Sequence, residues 1–192
     1  KALQEVDMLT IAGHKLYAPP GIGALYVRAG TPLGTWMHGA GQEGGRRAGT
    51  ESVLMIVALG AAARAADGDQ DAKHAALARS RDLLHTKLLD AVPDLALNGS
   101  PQHRLPNTLN VSFPARLPTS ARLLAAVAAD VAASAGSACH SDRVAVSHVL
   151  AAMGCDETRA ARAVRFSTGR ATSDSDIERA AAAVVAAVAR GA

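Results

Sequence analysis

The chain has 192 residues, 49% of them hydrophobic and 19% charged, which is enough to build a core and too apolar for a solvating tail. Aromatic residues make up only 3%, and the net charge of +3 is scattered without a basic run, which argues against a nucleic-acid surface of stacked rings. Cys139 and Cys155 form no CxxC pair and have no histidine at finger-like spacing, so neither a disulfide framework nor a metal site is expected, and a reducing, cytoplasmic setting fits.

The chain opens directly into a strand-like pattern, so an upstream segment is expected to precede Lys1. Residues 6–11 read as a strand, Gly13-His14-Lys15 breaks it, Pro19-Pro20-Gly21 turns, and residues 22–27 read as a second strand. Lys15 therefore sits at the mouth of a hairpin-like unit. Residues 39–50 carry Gly39, Gly41, Gly44, Gly45 and Gly49 with little periodicity and read as a long ordered loop.

From residue 52 to 66 the apolar run predicts a buried helix, and from residue 71 Leu77, Leu84, Leu88 and Ala91 predict a second, ended by Pro93. After the Asn98-Gly99-Ser100-Pro101 turn, residues 108–113 alternate as a half-buried strand. Further on, the pattern predicts a helix at 121–129, a strand at 131–134, a glycine loop to Cys139 and a helix at 144–153. A strand follows at 164–168, with Arg165 and Ser167 on one face. Ser173 with Asp176 three residues on is a capping box for a last helix to about residue 189. No apolar run approaches the ~20 residues that span a bilayer, so no membrane association is expected.

Five blocks stand out together. They are Ala12-Gly13-His14-Lys15-Leu16-Tyr17 with Gly21-Ile22-Gly23-Ala24-Leu25-Tyr26-Val27; Gly41-Gln42-Glu43 with Arg47-Ala48-Gly49-Thr50; Pro106-Asn107-Thr108-Leu109-Asn110-Val111-Ser112-Phe113; Gly136-Ser137-Ala138-Cys139; and Val164-Arg165-Phe166-Ser167-Thr168-Gly169-Arg170. Their order and spacing resemble the cysteine desulfurases and selenocysteine lyases, aminotransferase class-V-like enzymes of fold type I that use pyridoxal phosphate.

The resemblance implies an α/β fold covering the C-terminal half of such an enzyme. Residues 1–51 would be the end of the cofactor-binding large domain with its mostly parallel sheet, 52–92 linking helices, and 93–192 a small α+β domain carrying the cysteine loop. It makes Lys15 the lysine that bonds the cofactor aldehyde, His14 a holder of the cofactor phosphate, and Thr50 a contact to the phosphate of the partner subunit in a homodimer. Cys139 would take sulfur from L-cysteine, leaving alanine and an enzyme persulfide that feeds a sulfur-acceptor protein, and Arg165 would grip the substrate carboxylate.

The residue types suit these roles. An unprotonated amine attacks an aldehyde, a thiolate attacks sulfur, and a planar guanidinium binds a carboxylate through two parallel hydrogen bonds. Ala12, Ala40, Gly44 and the Ala18-Pro19-Pro20 turn depart from the family pattern without touching Lys15, Cys139 or Arg165. Two other readings stand beside this one: a selenocysteine lyase acting on L-selenocysteine, and an inactive structural or dimerisation fragment, since the family's ring-stacking histidine and main phosphate loop fall upstream of Lys15. On its own the 192-residue chain is expected to hold the cofactor weakly.

Overall fold

The computed structural model describes residues 5–135 and 147–191, and the chain divides into two compact units, Lys1–Asp69 and Gln70–Ala192. In the first unit, β1 (Met8–Ala12) and β2 (Gly23–Val27) pair antiparallel, with Met8 opposite Val27 and Ala12 opposite Gly23. The resemblance implies a mostly parallel sheet, whereas this pair is antiparallel, because the 10 residues between Ala12 and Gly23 return the chain beside itself as a hairpin.

The hairpin is closed by a 3-10 turn, Gly13–Leu16. Gly13 donates its N–H to the Ile22 carbonyl at 2.9 Å, and a Cβ at that position would lie 2.7 Å from the same oxygen, so only glycine permits the approach. Beyond β2, the Trp36 N–H donates to the Arg46 carbonyl at 2.7 Å and the Ala48 N–H to the Met37 carbonyl at 2.9 Å. These bonds close the glycine-rich loop around α1 (Gln42–Gly45), a single turn in which Glu43, Gly44 and Gly45 have positive φ. α2 (Val53–Ala66) follows and packs against the 3-10 turn.

Its apolar residues do not find the cover that the sequence predicts. Val53, Leu54, Ile56 and Val57 are exposed and only Ala62 is buried, because the helix is apolar nearly all round and its unit offers too little surface to pack it. Met8, Leu9, Ile11 and Leu25 of the hairpin are exposed as well, and Trp36 is 84% exposed.

The second unit has a closed core. α3 (Gln70–Ala91) leads to an antiparallel sheet of β3 (Ala96–Leu97), β4 (Thr108–Ser112) and β5 (Ala163–Ser167), in that spatial order. α4 (Ser120–Val127), α5 (His148–Ala152) and α6 (Glu157–Ala160) lie between β4 and β5 in the chain, and α7 (Asp174–Ala189) ends it. Alternation along β4 and β5 sends Leu109, Val111, Val164 and Phe166 to one face. There they meet Leu84 and Leu88 of α3, Leu123 and Val127 of α4, and Ile177, Ala181 and Val184 of α7. The opposite face carries Thr108, Asn110 and Ser112 beside Ser167, Arg165 and Ala163.

The capping box is formed as the sequence predicts. The Asp176 N–H donates to Ser173 Oγ at 3.2 Å and the Ser173 N–H to Asp176 Oδ2 at 2.9 Å. Ser173→Ala is expected to cost about 1 kcal/mol, read as a lower urea midpoint in far-UV circular dichroism. The helix predicted at 144–153 is described only as His148–Ala152, with residues 144–146 outside the described residues. The strand predicted at 131–134 reduces to a single bridge from Ser134 to Arg165, since only that residue pairs with β5.

α3 also carries a charged cluster. Arg81 donates through Nε and Nη2 to both oxygens of Asp82, at 2.8 and 3.0 Å, and through Nη1 to the Leu105 carbonyl, while Arg104 Nη2 reaches Asp82 Oδ1 at 3.2 Å. The Arg81 hydrogen bonds hold the Asp82 carboxyl below its usual range. Burial, and then the Arg104 charge, push the nearby His85 below the ordinary histidine value.

A histidine depressed in the folded state binds its proton more readily when unfolded. Its contribution is therefore intact above the unfolded value of about 6.5 and is lost as pH falls toward the folded one. Asp82 acts in the same direction at lower pH, its stabilisation lost as pH falls from about 3.9 through the folded value. The melting temperature is expected to fall between pH 7 and pH 5, and His85→Gln should flatten that slope.

Candidate active site

Lys15 and His14 ride on the 3-10 turn, and the turn is held at both ends. The Gly13 N–H is tied to β2 and the Gly13 carbonyl accepts from the Ala18 N–H at 3.1 Å, while Tyr17 takes a left-handed conformation with φ 67° to leave the helix. Gly13 is buried, yet both side chains that follow it are exposed, so a turn tied to its hairpin presents an imidazole and an amine to solvent. Neither makes a hydrogen bond to a described residue.

Thr50 is exposed in the same unit, three residues ahead of α2, and its hydroxyl has no described partner either. The loop before it is shaped by Arg47, whose Nη1 donates to the carbonyls of Ala48 and Gly49 at 3.2 and 3.3 Å. α2 packs on the Lys15 turn, and Met55 from α2 lies against the Gly21 position, so one short helix connects the loop holding Thr50 to the turn holding Lys15.

Arg165 belongs to the second unit and sits mid-strand, locked on both sides. It faces Asn110 across the β4–β5 ladder, and its N–H donates to the Ser134 carbonyl at 2.7 Å while the Ser134 N–H returns to its own carbonyl at 3.1 Å. Its Nε is buried and has no hydrogen-bond partner among the described residues. A buried guanidinium N–H left unpaired costs free energy that an incoming acceptor recovers. Cys139 lies outside the described residues; it follows Ser134 by five positions in the sequence.

A polar network that sequence reading missed adjoins Arg165. Asn98, read from sequence only as a turn residue, is buried: its Oδ1 accepts from Arg159 Nε at 2.9 Å, and its Nδ2 donates to Asn110 Oδ1 at 2.7 Å and to Ser112 Oγ at 2.8 Å. Cys155 behaves as the structural cysteine expected of it, half-buried against Leu150, Ala160 and Ala163. The only sequence signal for the network is that three polar residues alternate along β4 opposite its apolar ones.

The family model for class-V aminotransferases matches residues 2–180. The chain belongs to the aminotransferase class-V family. A cysteine desulfurase of Gluconacetobacter diazotrophicus is 46% identical over 91% of this class-V chain and 44% of its own length. Among solved structures, a NifS-like protein superposes with a TM-score of 0.84 at 27% identity, covering 97% of this chain and 47% of that one. A structure described as SspA in complex with cysteine aligns with a TM-score of 0.60 at 32% identity, covering 84% and 44%. The class-V chain thus spans less than half the length of the relatives it matches, and it shares their α/β fold.

Proposed function

We propose that this chain forms the lysine-bearing and sulfur-handling part of a pyridoxal-phosphate-dependent cysteine desulfurase, which converts L-cysteine to L-alanine and leaves the sulfur on Cys139 as a persulfide. One observation carries the reading: in a chain 46% identical to a cysteine desulfurase, Lys15 stands exposed, with no side-chain partner among the described residues, on a turn pinned to its hairpin. The donor set fits the cofactor, since an accessible amine suits its aldehyde while the His14 ring and Thr50 hydroxyl suit its phosphate. When bound, pyridoxal phosphate supplies an aldehyde that joins the substrate amine and a ring that stores electrons from the alpha carbon.

The chain's own residues supply the rest. His14 and Thr50 would donate to the oxygens of the cofactor phosphate, Thr50 to that of the partner subunit in a homodimer. Lys15 would take the proton from the alpha carbon, and Arg165 would hold the carboxylate through two N–H donors so that this carbon is presented in one orientation. The Cys139 thiolate attacks the substrate sulfur; the S–S bond forms as the carbon–sulfur bond breaks, and that electron pair stays with the carbon fragment, which is protonated to alanine. The persulfide is then passed to an acceptor protein.

The test is a chimera in which the preceding residues of the Gluconacetobacter diazotrophicus enzyme are joined to Lys1. Given pyridoxal phosphate and L-cysteine, it should bind the cofactor, release alanine and carry a persulfide on the Cys139 peptide by mass spectrometry. A chimera that binds the cofactor but leaves L-cysteine unchanged sinks the proposal.

A further inference from the structure

We infer that Asn110 is a second carboxylate donor beside Arg165, aimed by a polarity relay from Arg159 through Asn98; the inference rests on the reading of Arg165 as the carboxylate holder and deepens it. A guanidinium has only donors, so the atom of Asn98 that faces Arg159 Nε at 2.9 Å is its oxygen. Arg159 is itself fixed: its Nη2 donates to the Leu97 carbonyl at 2.8 Å and its backbone N–H to Asp156 Oδ1 at 2.9 Å.

The amide nitrogen of Asn98 must then face β4. Its two protons are spent on Asn110 Oδ1 at 2.7 Å and Ser112 Oγ at 2.8 Å. With its oxygen engaged, Asn110 has only its Nδ2 left to offer, and that group donates to no described residue. The relay begins at a permanent charge, so no step in it can invert without burying two donors against each other.

Asn110 and Arg165 are direct partners in the β4–β5 register, so their side chains leave the same face with Cβ atoms about 4.5–5.5 Å apart. Arg165 Nε on that face is buried without an acceptor among the described residues. Two N–H donors without a described acceptor, carried from paired positions on one face of the sheet, complement a carboxylate, which offers two oxygens and about four lone-pair sites. A neutral amide adds direction without adding charge, which selects a planar, two-oxygen anion over a single-atom one.

The experiment follows the Arg165 Nε–Hε resonance in the 15N-labelled 192-residue chain, assigned by its disappearance in Arg165→Lys, during titration with L-alanine. The unmodified chain should show a saturating shift. Asn110→Ala should weaken binding about 5–10-fold, and Asn110→Asp, which sets an acceptor where the donor stood, should abolish it. Arg159→Leu leaves Asn110 in place but frees the Asn98 amide to turn, and should weaken binding about threefold. Unchanged affinity in Asn110→Ala and Arg159→Leu overturns the role of Asn110 and leaves the Arg165 reading standing. Absence of any shift in the unmodified chain overturns both.

Discussion

Lys15→Ala in the chimera is expected to lower alanine release from L-cysteine by about ten-thousand-fold or more, because the proposed mechanism gives one amine both the bond to the cofactor and the transfer of the alpha proton. The loss should be one of chemistry and not of folding. Lys15 is exposed and its side chain bonds to no described residue, so melting should change by less than about 0.5 kcal/mol. The readout is paired: single-turnover alanine release and the cofactor absorbance band should both disappear, while far-UV circular dichroism stays as it was. An alanine variant that still turns over cysteine at a tenth of the parent rate would remove Lys15 from the mechanism.

Leu88→Ala should produce the largest change in stability. Its side chain is fully buried in α3, inside the cluster that joins α3 and α7 to β4 and β5, and its removal leaves a cavity that helices fixed by one another cannot close. The expected cost is about 3 kcal/mol. For a unit of this size that corresponds to a melting temperature lower by about 10–15 °C in circular dichroism. Leu54→Ser supplies the contrast: Leu54 is 86% exposed on α2, and removing it should leave the same transition unmoved. A Leu88→Ala protein that melts with its parent would mean that the cluster does not hold the second unit together.

What was legible in the sequence was what local chemistry decides. The Ser173–Asp176 capping box starts α7 where expected because both of its hydrogen bonds close within three residues. Alternation along Thr108–Ser112 correctly marked β4, and the Pro/Gly turn marked the hairpin that frames Lys15. β3, with two residues, and α6, with four, are too short for any periodicity to register, and neither was predicted.

The burial predicted for α2 failed for a different reason. An apolar run states what a helix wants to bury and not whether a partner surface exists, and Leu54 and Val57 find none among the described residues of their unit. At the candidate site the sequence could nominate residues but not their spatial relations. That Arg165 bridges Ser134 on one side and faces Asn110 on the other depends on pairing across more than 30 positions of chain. The Arg159–Asn98–Asn110 relay is likewise set by tertiary folding, its first two members lying 61 positions apart in the chain.

The chain has one tryptophan, Trp36, and it sits in the water-facing loop of the first unit while the apolar cluster of the second contains no indole. Its emission is therefore red-shifted from the outset and blind to the collapse of α3 and α7. A thermal scan read by fluorescence and one read by ellipticity should give different curves from the same cuvette. Their disagreement would record where the single fluorophore is placed, and should not be taken for a populated folding intermediate.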